Sequence, residues 1–371
     1  MNTATITFHA CNNNGSFFQA YVLQTLLIKQ LGTDNEIIDF RSDKMLRLYK
    51  LFRPVRSPRD LAKNMVSLRH YGRLKKRNDR FEMMRRTHLR MTERCSTEEE
   101  VYQLAKKYDL LIAGSDQIWN TTAPDFSAAY FLPDVKNRKI TYAISCGSDS
   151  GESEIGQYAE AIREFSSVAV RDASTARHMK QQTGIDAMVT IDPTLLADAD
   201  FYNAMVTDTP IIREEYIFFY SIMYQPEVVK RAKRIAEQLG MRIITVFTSF
   251  RAIVAEKNGI EIQYSAGPAE FLNLIRNASY VLTNSFHGTA FSIIYEKPFL
   301  HICETENGVL KRDDRIDNLI DELEIGQCNT GTDDSPAVFP KVDWDVVMKK
   351  RSLMKENALE YLKKAISGGV R

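Results

Sequence analysis

The stretch TATITFHACNNNGSFFQAYVLQTLLIKQLGTDNEIIDFR, residues 3–41, sets the expectation for the fold. A short apolar strand (3–9) leads through a polar turn into a helix (18–32) that ends at a glycine, and a second strand (35–41) follows. This strand–helix–strand succession is the unit from which doubly wound parallel sheets are built. The chain is therefore predicted to begin with a Rossmann-like domain.

The alternation of strands and helices continues and then restarts. Apolar strands are predicted at 109–114, 139–147 and 166–172, and after a polar stretch (198–213) the pattern begins again at 216–222. A chain of 371 residues favours two domains. We therefore predict an α/β protein with two Rossmann-like domains facing a cleft. The predicted segments are 1–200 for the first domain, with a basic helical insert at 42–94, then 210–342 for the second domain and 343–371 for a C-terminal helix.

Composition excludes several classes of protein. The longest apolar run, residues 216–224, is too short to span a bilayer, and the N-terminus lacks the basic and apolar regions of a signal peptide. The five cysteines are scattered and form no C-x-x-C motif, which argues against a disulfide framework and a zinc site. We expect a cytoplasmic protein with no metal site.

Positive charge is concentrated in one region. Between Arg41 and Arg94 there are eighteen Lys and Arg against five Asp and Glu, and residues 73–90 are the densest part. Such a region suits nucleic acid, an anionic membrane surface or a phosphorylated substrate, and a merely solvated helix face explains it equally well. Because no zinc-finger, helix-turn-helix or RNA-binding motif accompanies it, nucleic acid is the least favoured partner.

Polar clusters follow four of the predicted strands, at Asn12–Ser16, Gly114–Asn120, Val170–Asp172 and Asn284–Gly288. Ligands of parallel α/β sheets bind beyond the carboxyl ends of the strands, so these clusters are the candidate site. In the first cluster, Gly15 permits close backbone approach and the following helix start favours an anion. A plain turn explains this first cluster about as well.

The second cluster, GSDQIWN, is dense in hydrogen-bonding groups. Asp116, Gln117 and Asn120 could bind sugar hydroxyls, and Trp119 could offer a ring face. In the alternative, Ser115 or Asp116 caps a helix and Trp119 lies in the core. The polarity of the segment directly after a buried strand favours the binding function.

Arg171 ends an apolar strand, where an arginine is costly to bury without an anion. Its planar guanidinium suits a carboxylate or a phosphate. Asp172 could be that anion, or could instead cap the next helix.

His287 is the strongest candidate for catalysis. It lies between Ser285, a predicted cap, and Gly288, near which a helix is predicted to begin. The helix start offers N–H groups to a phosphate, and a histidine there can exchange a proton near neutral pH. The alternative is a histidine that merely packs at a capped helix start.

With these residues in place, the chain resembles the polysaccharide pyruvyl transferase family. The motifs NNNGSFFQAYVLQ, YDLLIAGSDQIWN, SSVAVRD, IDPTLL and ASYVLTNSFHGTAFSIIYEKPF carry the resemblance in this order, over roughly residues 5–302. GSDQIWN and TNSFHGTAFS are the most specific of them. The family's usual NYG is here Asn13-Asn14-Gly15, and its usual LQAYAL is here residues 18–23.

The resemblance implies a glycosyltransferase-B-like fold. It also implies transfer of a pyruvyl group from phosphoenolpyruvate to a sugar of a cell-surface polysaccharide or its precursor, which forms a ketal. His287 would supply or relay a proton and Arg171 would hold the donor. Some branches of the family carry an arginine two residues before the histidine, where this chain has Ser285. Charge compensation for the donor phosphate is then expected from Arg171, helix N–H groups or another cation such as Arg315.

The predicted site has two parts. Donor-binding residues are Asn284, Ser285, Phe286, Gly288 and Arg315. Acceptor-binding residues are Asn14, Gly15, Gln19, Ser115, Asp116, Gln117, Trp119 and Asn120. No cofactor is expected, because phosphoenolpyruvate is itself the donor substrate.

The expected partners are phosphoenolpyruvate and a sugar acceptor. If that acceptor is linked to a lipid diphosphate, the basic segment 42–94 would help the protein to dock at the cytoplasmic membrane face. Two other functions stay open. A nucleotide-sugar-dependent glycosyltransferase would bind uridine or guanosine diphosphate, whereas a non-catalytic carbohydrate-binding protein would tolerate loss of His287.

Overall fold

Two compact units make up the protein. The structure, a computed structural model, describes residues 1–147, 153–306, 309–311, 313–330 and 339–368. Unit 1 comprises Met1–Lys50, Met84–Leu196 and Arg351–Arg371, and unit 2 comprises Leu51–Met83 and Ala197–Lys350.

The limits of the units differ from the predicted limits in two places. Near residue 200, the chain passes from unit 1 to unit 2 between Leu196 and Ala197. The predicted insert 42–94 is divided between the units, because its central part Leu51–Met83 belongs to unit 2. Part of the predicted C-terminal segment, from Arg351 onward, belongs to unit 1. Residues 369–371 of that segment, and residues 331–338 of the predicted second domain, lie outside the described residues.

Strands and helices alternate through both units. Up to residue 203 they are β1 (Asn2–Ile6), α1 (Asn14–Lys29), β2 (Asp34–Phe40), α2 (Asp43–Tyr49), α3 (Pro58–Arg69), α4 (Tyr71–His88), β3 (Met91–Cys95), α5 (Glu98–Ala105), β4 (Leu110–Ala113), β5 (Arg138–Thr141), α6 (Ala159–Arg163), β6 (Ala169–Val170), α7 (Ala173–Thr183), β7 (Met188–Val189) and α8 (Ala199–Asn203). Beyond it they are β8 (Tyr216–Tyr220), α9 (Pro226–Gln238), β9 (Arg242–Val246), α10 (Ile253–Lys257), β10 (Glu261–Gln263), α11 (Pro268–Asn277), β11 (Tyr280–Thr283), α12 (Phe286–Ile294), β12 (Phe299–His301), β13 (Glu304–Glu306), β14 (Val309–Lys311), α13 (Asp314–Glu322) and α14 (Trp344–Ser367).

Unit 1 contains a five-stranded parallel sheet of order β3-β2-β1-β4-β5. Ala4 of the central strand is level with Glu36 on one side and with Leu111 on the other. The chain first adds strands on the β2 side and then crosses to the β4 side. The switch point of the topology, where ligands of such sheets bind, therefore lies beyond the ends of β1 and β4.

Unit 2 repeats this arrangement with the order β10-β9-β8-β11-β12, again all parallel. Its switch point lies beyond the ends of β8 and β11. Two smaller pairs, the parallel β6–β7 and the antiparallel β13–β14, lie outside the main sheets. The α/β class and the two Rossmann-like sheets follow the sequence prediction.

Apolar faces explain why these segments fold as they do. All four residues of β4 are fully buried, as expected for a central strand covered on both faces. Helix α9 buries one stripe, formed by Val228, Val229, Ala232 and Ala236, and leaves its charged face outside. Among the described residues, no helix is both long and apolar enough to cross a membrane.

The secondary structure departs from the sequence prediction at particular elements. Edge strand β3 lies inside a region predicted as helical throughout. Within the predicted strand 166–172 only Ala169 and Val170 form a regular strand, and Ser167 makes an isolated bridge to Ile140. Within the predicted strand 139–147 the regular strand ends at Thr141, and Ile144 makes isolated bridges. Helix α12 begins at Phe286 rather than near Gly288. This last difference places His287 inside the helix.

Candidate functional site

In unit 2, the polar loop between β11 and α12 lies at the switch point of the sheet. Thr283 is the last residue of β11, and His287 is the second residue of α12. His287 is 9% exposed, and the ring of Phe286 meets its imidazole edge to face at a centroid distance of 5.3 Å. A buried histidine is thus held in the first turn of a helix at the edge where ligands bind.

Gly288 allows this helix to start directly against the strand. A Cβ at Gly288 would lie 2.0 Å from Oγ1 and 2.8 Å from Cβ of Thr283, and 3.1 Å from a ring carbon of Tyr220. The Thr283 hydroxyl is fixed by donating to the carbonyl of Tyr220 (2.7 Å) and accepting from the N–H of Ser285 (3.0 Å). Only glycine fits at position 288 without displacing these groups.

Ser285 occupies the N-cap position in extended backbone, but its side chain makes no capping hydrogen bond. Ser285 is therefore the N-cap residue, as predicted, but the prediction that its hydroxyl caps the helix is wrong. The first turn of a helix presents N–H groups that have no partner within the helix, and the helix dipole favours an anion there. This helix start retains the features of an anion site.

Asn284 lies beside an acidic group. Its Nδ2 donates to Glu304 Oε1 (2.9 Å), and the same carboxylate accepts from Gln225 Nε2 at 2.6 Å. Among the described residues, no group donates to the buried Oδ1 of Asn284. This predicted donor-site residue is thus oriented by a carboxylate and keeps one acceptor atom for a ligand.

Arg315, the alternative cation for a phosphate, is near the start of α13. Its Nε donates to Asp313 Oδ1 at 2.8 Å, and its Nη2 bonds the other carboxylate oxygen. Burial alone would raise the pKa of Asp313, but the Arg315 guanidinium outweighs it, and the pKa is lowered. The positive charge of Arg315 is therefore largely balanced within the protein.

His301, which no sequence motif marks, is level with Thr283 in the neighbouring strand β12. His301 is 4% exposed, and its Nδ1 has no hydrogen-bond partner in the described part of the chain. Burial lowers the pKa of its imidazole to about 4, against the opposing effect of Asp313. Only the alignment of β12 with β11 brings this histidine to the edge where His287 lies.

In unit 1, Gln19 ties the switch point together. Its Nε2 donates to Thr7 Oγ1 (3.0 Å) and to the carbonyls of Phe8 and Ser16, both at 2.9 Å. Its Oε1 accepts from the N–H of Ser115 at 3.2 Å. Because Gln19 is fully buried and its amide is used by the protein, it shapes the predicted acceptor site rather than reaching a sugar.

Ser115 is also enclosed at this switch point. Its hydroxyl donates to the carbonyl of Ala143 at 2.8 Å and lies 3.4 Å from Asp192 Oδ2. The preceding peptide, Gly114–Ser115, is cis. Gly114 has a positive φ of 142°, and a Cβ there would lie 2.0 Å from the carbonyl oxygen of Tyr142. Ser115 is therefore a buried structural link between β4 and the following loops.

Asp116 and the first helix meet in unit 1. Asp116 Oδ2 accepts from Ser16 Oγ at 2.6 Å, which joins two of the predicted polar clusters. Asn13 caps α1 by accepting from the N–H of Gly15 at 2.9 Å. Asn14 is 4% exposed, and its Oδ1 accepts no hydrogen bond from the described residues. The hydrogen bond from Ser16 to Asp116 thus joins the turn that contains Asn14 and Gly15 to the loop that contains Asp116.

A partly buried carboxylate that the sequence did not indicate, Asp125, lies near Asp116. Burial, with the nearby charge of Asp116, raises the pKa of Asp125. Tyr49 donates to Asp125 Oδ2 at 3.3 Å, and burial raises the pKa of Cys11 to about 12. Asp125 stands in an irregular loop, and no periodicity or motif marks it. Ionisable groups with perturbed pKa values cluster at functional sites, so Asp125 is a further candidate.

Trp119 does not line the predicted acceptor site, contrary to the sequence prediction. It is fully buried, its indole N–H donates to the carbonyl of Tyr130 at 3.1 Å, and its ring stacks on Phe131 with centroids 4.8 Å apart. The expected ring face for a sugar is absent, because both polar and apolar parts of Trp119 serve the core.

Gln117 and Asn120 keep partly exposed side chains. Asn120 Nδ2 donates to Gln117 Oε1 at 3.3 Å, and Asn120 Oδ1 accepts from the N–H and the hydroxyl of Thr122. Gly147, with φ of 99°, passes close to both; a Cβ there would lie 2.5 Å from Asn120 Nδ2. These two amides remain acceptor-site candidates.

Arg171 is held by an internal carboxylate. Its Nη1 donates to Asp192 Oδ2 at 2.9 Å, and the two side chains are 2% and 0% exposed. Asp172, the anion suggested by sequence, instead caps α7 by accepting from the N–H of Thr175 at 2.7 Å. The capping alternative for Asp172 is right, and the partner of Arg171 lies in the IDPTLL motif.

The structure thus gathers the predicted residues into two groups. The predicted donor residues, with His287, lie in unit 2, and the predicted acceptor residues, with Arg171, lie in unit 1. Within the ranges that the structure covers, no cluster of His, Cys, Asp or Glu side chains is arranged to hold a metal ion.

A family model matches most of the chain by sequence. The model of a protein family described as polysaccharide pyruvyl transferase matches residues 13–302. No protein in the curated set matches the chain by sequence.

Solved structures resemble the fold. A Listeria monocytogenes protein assigned as a UDP-N-acetylglucosamine 2-epimerase has a TM-score of 0.55 at 9% identity, covering 100% of this chain and 97% of its own. Staphylococcus aureus MnaA, solved with UDP, has a TM-score of 0.54 at 12% identity, covering 98% and 91%. The UDP-GlcNAc 2-epimerase of Methanocaldococcus jannaschii has a TM-score of 0.50 at 16% identity, covering 96% and 93%. The fold is thus glycosyltransferase-B-like, as expected.

Proposed function

Because the chain belongs to the polysaccharide pyruvyl transferase family, we propose that it transfers a pyruvyl group from phosphoenolpyruvate to a sugar of a cell-surface polysaccharide or of its lipid-linked precursor. The family match makes it a transferase. The observation that carries the proposal is the position of His287, buried in the first turn of α12 at the switch point of unit 2.

The proposed reaction balances without a redox partner. A proton adds to the methylene carbon of phosphoenolpyruvate, which becomes a methyl group, and a sugar hydroxyl oxygen bonds to the adjacent carbon. The bond from that carbon to the phosphate oxygen breaks, and a second hydroxyl closes the ketal. Of the two hydroxyl protons released, one replaces the proton used on the methyl group and the other leaves with phosphate.

We assign the donor to the start of α12. Phosphoenolpyruvate carries a phosphate and a carboxylate, and helix N–H groups together with the helix dipole stabilise such anions. The loop from Asn284 to Gly288 would hold the donor, and His287 would give or relay the proton to its methylene carbon. Because Arg315 is already paired with Asp313, we assign it a secondary part in balancing the phosphate.

We propose a part in donor binding for Arg171 because the family resemblance implies it. Asp192 accepts a hydrogen bond from its Nη1 at 2.9 Å, and a planar guanidinium is the side chain that best suits a carboxylate or a phosphate. A lysine at this position would retain the charge but lose the fork. If Arg171 binds the donor, replacing it by lysine should weaken donor binding.

We assign the sugar acceptor to the loops of unit 1. Asp116 is 6% exposed and uses Oδ2 for Ser16, so its carboxylate has further lone pairs for a sugar hydroxyl. Gln117 and Asn120 supply amide groups beside it. Trp119 and Gln19 belong to the supporting structure.

The deciding experiment is a reaction with a panel of acceptors. Purified protein is incubated with phosphoenolpyruvate and sugars linked to a lipid or to nitrophenol, and phosphate release is followed together with the mass of the acceptor. We expect both signals with one acceptor class and neither with the His287→Ala variant. Mass gain that persists in this variant would overturn the role of His287.

The same panel separates the two other functions. Binding of a uridine or guanosine sugar nucleotide, with indifference to phosphoenolpyruvate, would replace pyruvyl transfer by glycosyl transfer. Glycan binding without turnover, unchanged in the His287→Ala variant, would indicate a carbohydrate-binding protein instead.

A further inference from the structure

Helix α3 exposes its large apolar side chains. Leu61, Met65 and Leu68 recur at the spacing of one helix face, and they are 52%, 65% and 72% exposed. The segments on either side add exposed apolar groups, with Phe52 and Tyr71 stacking at a centroid distance of 5.9 Å. A single exposed leucine needs no explanation, but an aligned set with aromatic neighbours does.

The face of α3 that packs on the protein is polar. Asp60, Asn64 and Ser67 stand one position before the exposed residues. Asn64 exchanges two hydrogen bonds with the backbone of Arg53, at 2.8 and 2.9 Å, and Ser67 donates to the carbonyl of Leu51. The large apolar residues of this helix, Leu61, Met65 and Leu68, therefore contribute little to the core.

Cations flank the apolar face. Residues 51–76 contain eight Lys and Arg and a single acidic residue. Arg59 and Arg69 of α3, and Arg73, Lys75 and Lys76 of α4, are exposed.

The densest basic segment is a poorer candidate, because part of its charge is used internally. Arg77 is 5% exposed and lies over the rings of Phe81 and Phe247, at 4.8 and 5.7 Å. Arg85 is 4% exposed and donates to the carbonyl of Cys11. The exposed positive charge therefore lies on α3 and on the first turns of α4.

We propose that α3 lies in the plane of an anionic lipid bilayer, with Leu61, Met65 and Leu68 inserted among the headgroups and the neighbouring arginines and lysines on acidic lipids. A basic amphipathic helix with leucine on its apolar face is the structure that binds this interface. The proposal goes beyond the proposed reaction and does not depend on it.

Charge argues for lipid over a second copy of the chain. Two copies joined through this face by a twofold axis would bring the same cationic residues together, and like charges across an interface are unfavourable. Outside Arg41–Arg94 the chain carries a net negative charge. Attraction to an anionic surface is therefore confined to this segment, which would orient the protein.

The test is vesicle co-flotation of the full chain without substrates. Phosphatidylcholine vesicles with and without phosphatidylglycerol are compared for wild type, the triple variant L61Q/M65Q/L68Q, and the control V346Q/L353Q. The control replaces two apolar residues of α14 that are 44% and 59% exposed. We expect binding only with phosphatidylglycerol, lowered about tenfold or more in the triple variant and unchanged in the control.

A second measurement detects insertion of α3 into the bilayer with a substitution that keeps the helix face apolar. Leu68→Trp should shift its fluorescence to the blue on addition of phosphatidylglycerol vesicles, whereas Leu353→Trp should not. Equal binding of the triple variant and wild type, absence of wild-type binding, or identical behaviour of the two tryptophan variants would each overturn the proposal. A dimer in solution that the triple variant dissociates would assign the face to a second copy.

Discussion

Oγ1 of Thr283 lies only 2.0 Å from the position that a Cβ of Gly288 would occupy. The end of β11 and the first turn of α12 can approach this closely only because residue 288 has no side chain. This approach fixes the backbone of His287 between them. The glycine thus acts on the candidate catalytic histidine through packing.

Gly288→Ala should destabilise the protein and reduce turnover. The new methyl group would meet buried atoms of Thr283 and Tyr220, and overpacking of this kind costs about 1–3 kcal/mol. Thermal unfolding and pyruvyl transfer are the measurements. Gly326→Ala is the matched control, because nothing lies within 4 Å of its added Cβ. Equal melting temperatures for the two variants would contradict the packing argument.

His287→Gln should retain the fold and lower kcat by about 10²–10⁴-fold, the range for loss of a general acid. Glutamine keeps a polar side chain but cannot exchange a proton near neutral pH. The control is His88→Gln, which changes a half-buried histidine packed on Tyr21 in unit 1. Steady-state kinetics with saturating donor measure the effect. Wild-type turnover is expected for the control, and wild-type turnover of His287→Gln would refute the proton-transfer role.

Asp192→Asn should lower the free energy of unfolding by about 3–5 kcal/mol, because it leaves the Arg171 charge buried without its carboxylate. Asp186→Asn, which breaks the exposed pair of Lys180 and Asp186, should cost less than about 1 kcal/mol. Urea unfolding of both variants measures the difference. A negligible effect at Asp192 would show that the pair does not hold Arg171.

Arg171→Lys should raise the KM for phosphoenolpyruvate more than it lowers kcat, because lysine keeps the charge and loses the planar fork. Kinetics with varied donor at fixed acceptor test this split. If the KM for the donor stayed at the wild-type value while stability fell, Arg171 would have a structural role alone.

Asp116→Asn should raise the KM for the sugar acceptor and leave the KM for phosphoenolpyruvate unchanged. Asparagine tolerates the left-handed backbone of this position, where φ is 74°, so the backbone should persist. Asp134→Asn, in an exposed position of the same unit, is the control. A change confined to the donor KM would move Asp116 out of the acceptor site.

His301→Leu should remove part of the acid sensitivity of the fold. The pKa of His301 is lowered from 6.5 to about 4, so the unfolded chain takes up this proton first as the pH falls. The wild type should therefore lose stability from about pH 6.5 down to about pH 4, by about 3 kcal/mol from this residue. The variant should lack this loss. Parallel stability curves for the two proteins over that interval would exclude His301 as the cause.

The sequence predicted the main sheets well and their edges less well. Strand β3 was missed because its sequence, MTERC, is largely polar and Glu93 and Arg94 are exposed. The run at 166–172 has an apolar centre, residues 168–170, yet only Ala169 and Val170 join a ladder. Hydrophobic patterns report burial, and burial alone does not fix which residues pair.

The candidate site was predictable where one local motif carries it. The loop holding His287 could be found because a strand end, small polar residues and a glycine occur together. Trp119 was misplaced because the residues that enclose it, such as Phe131, lie further along the chain. Asp125 went unnoticed because only folding brings its loop towards Asp116.

By itself, the sequence determined the α/β class, the two Rossmann-like sheets, the family, and the loop with His287, because strand and helix periodicity and short motifs are local properties. Tertiary structure decided the pairing of Arg171 with Asp192, twenty-one residues apart. It also decided the burial of Trp119 and the exposure of the apolar face of α3. Each of these depends on which distant residues come into contact, and a local pattern does not contain that information.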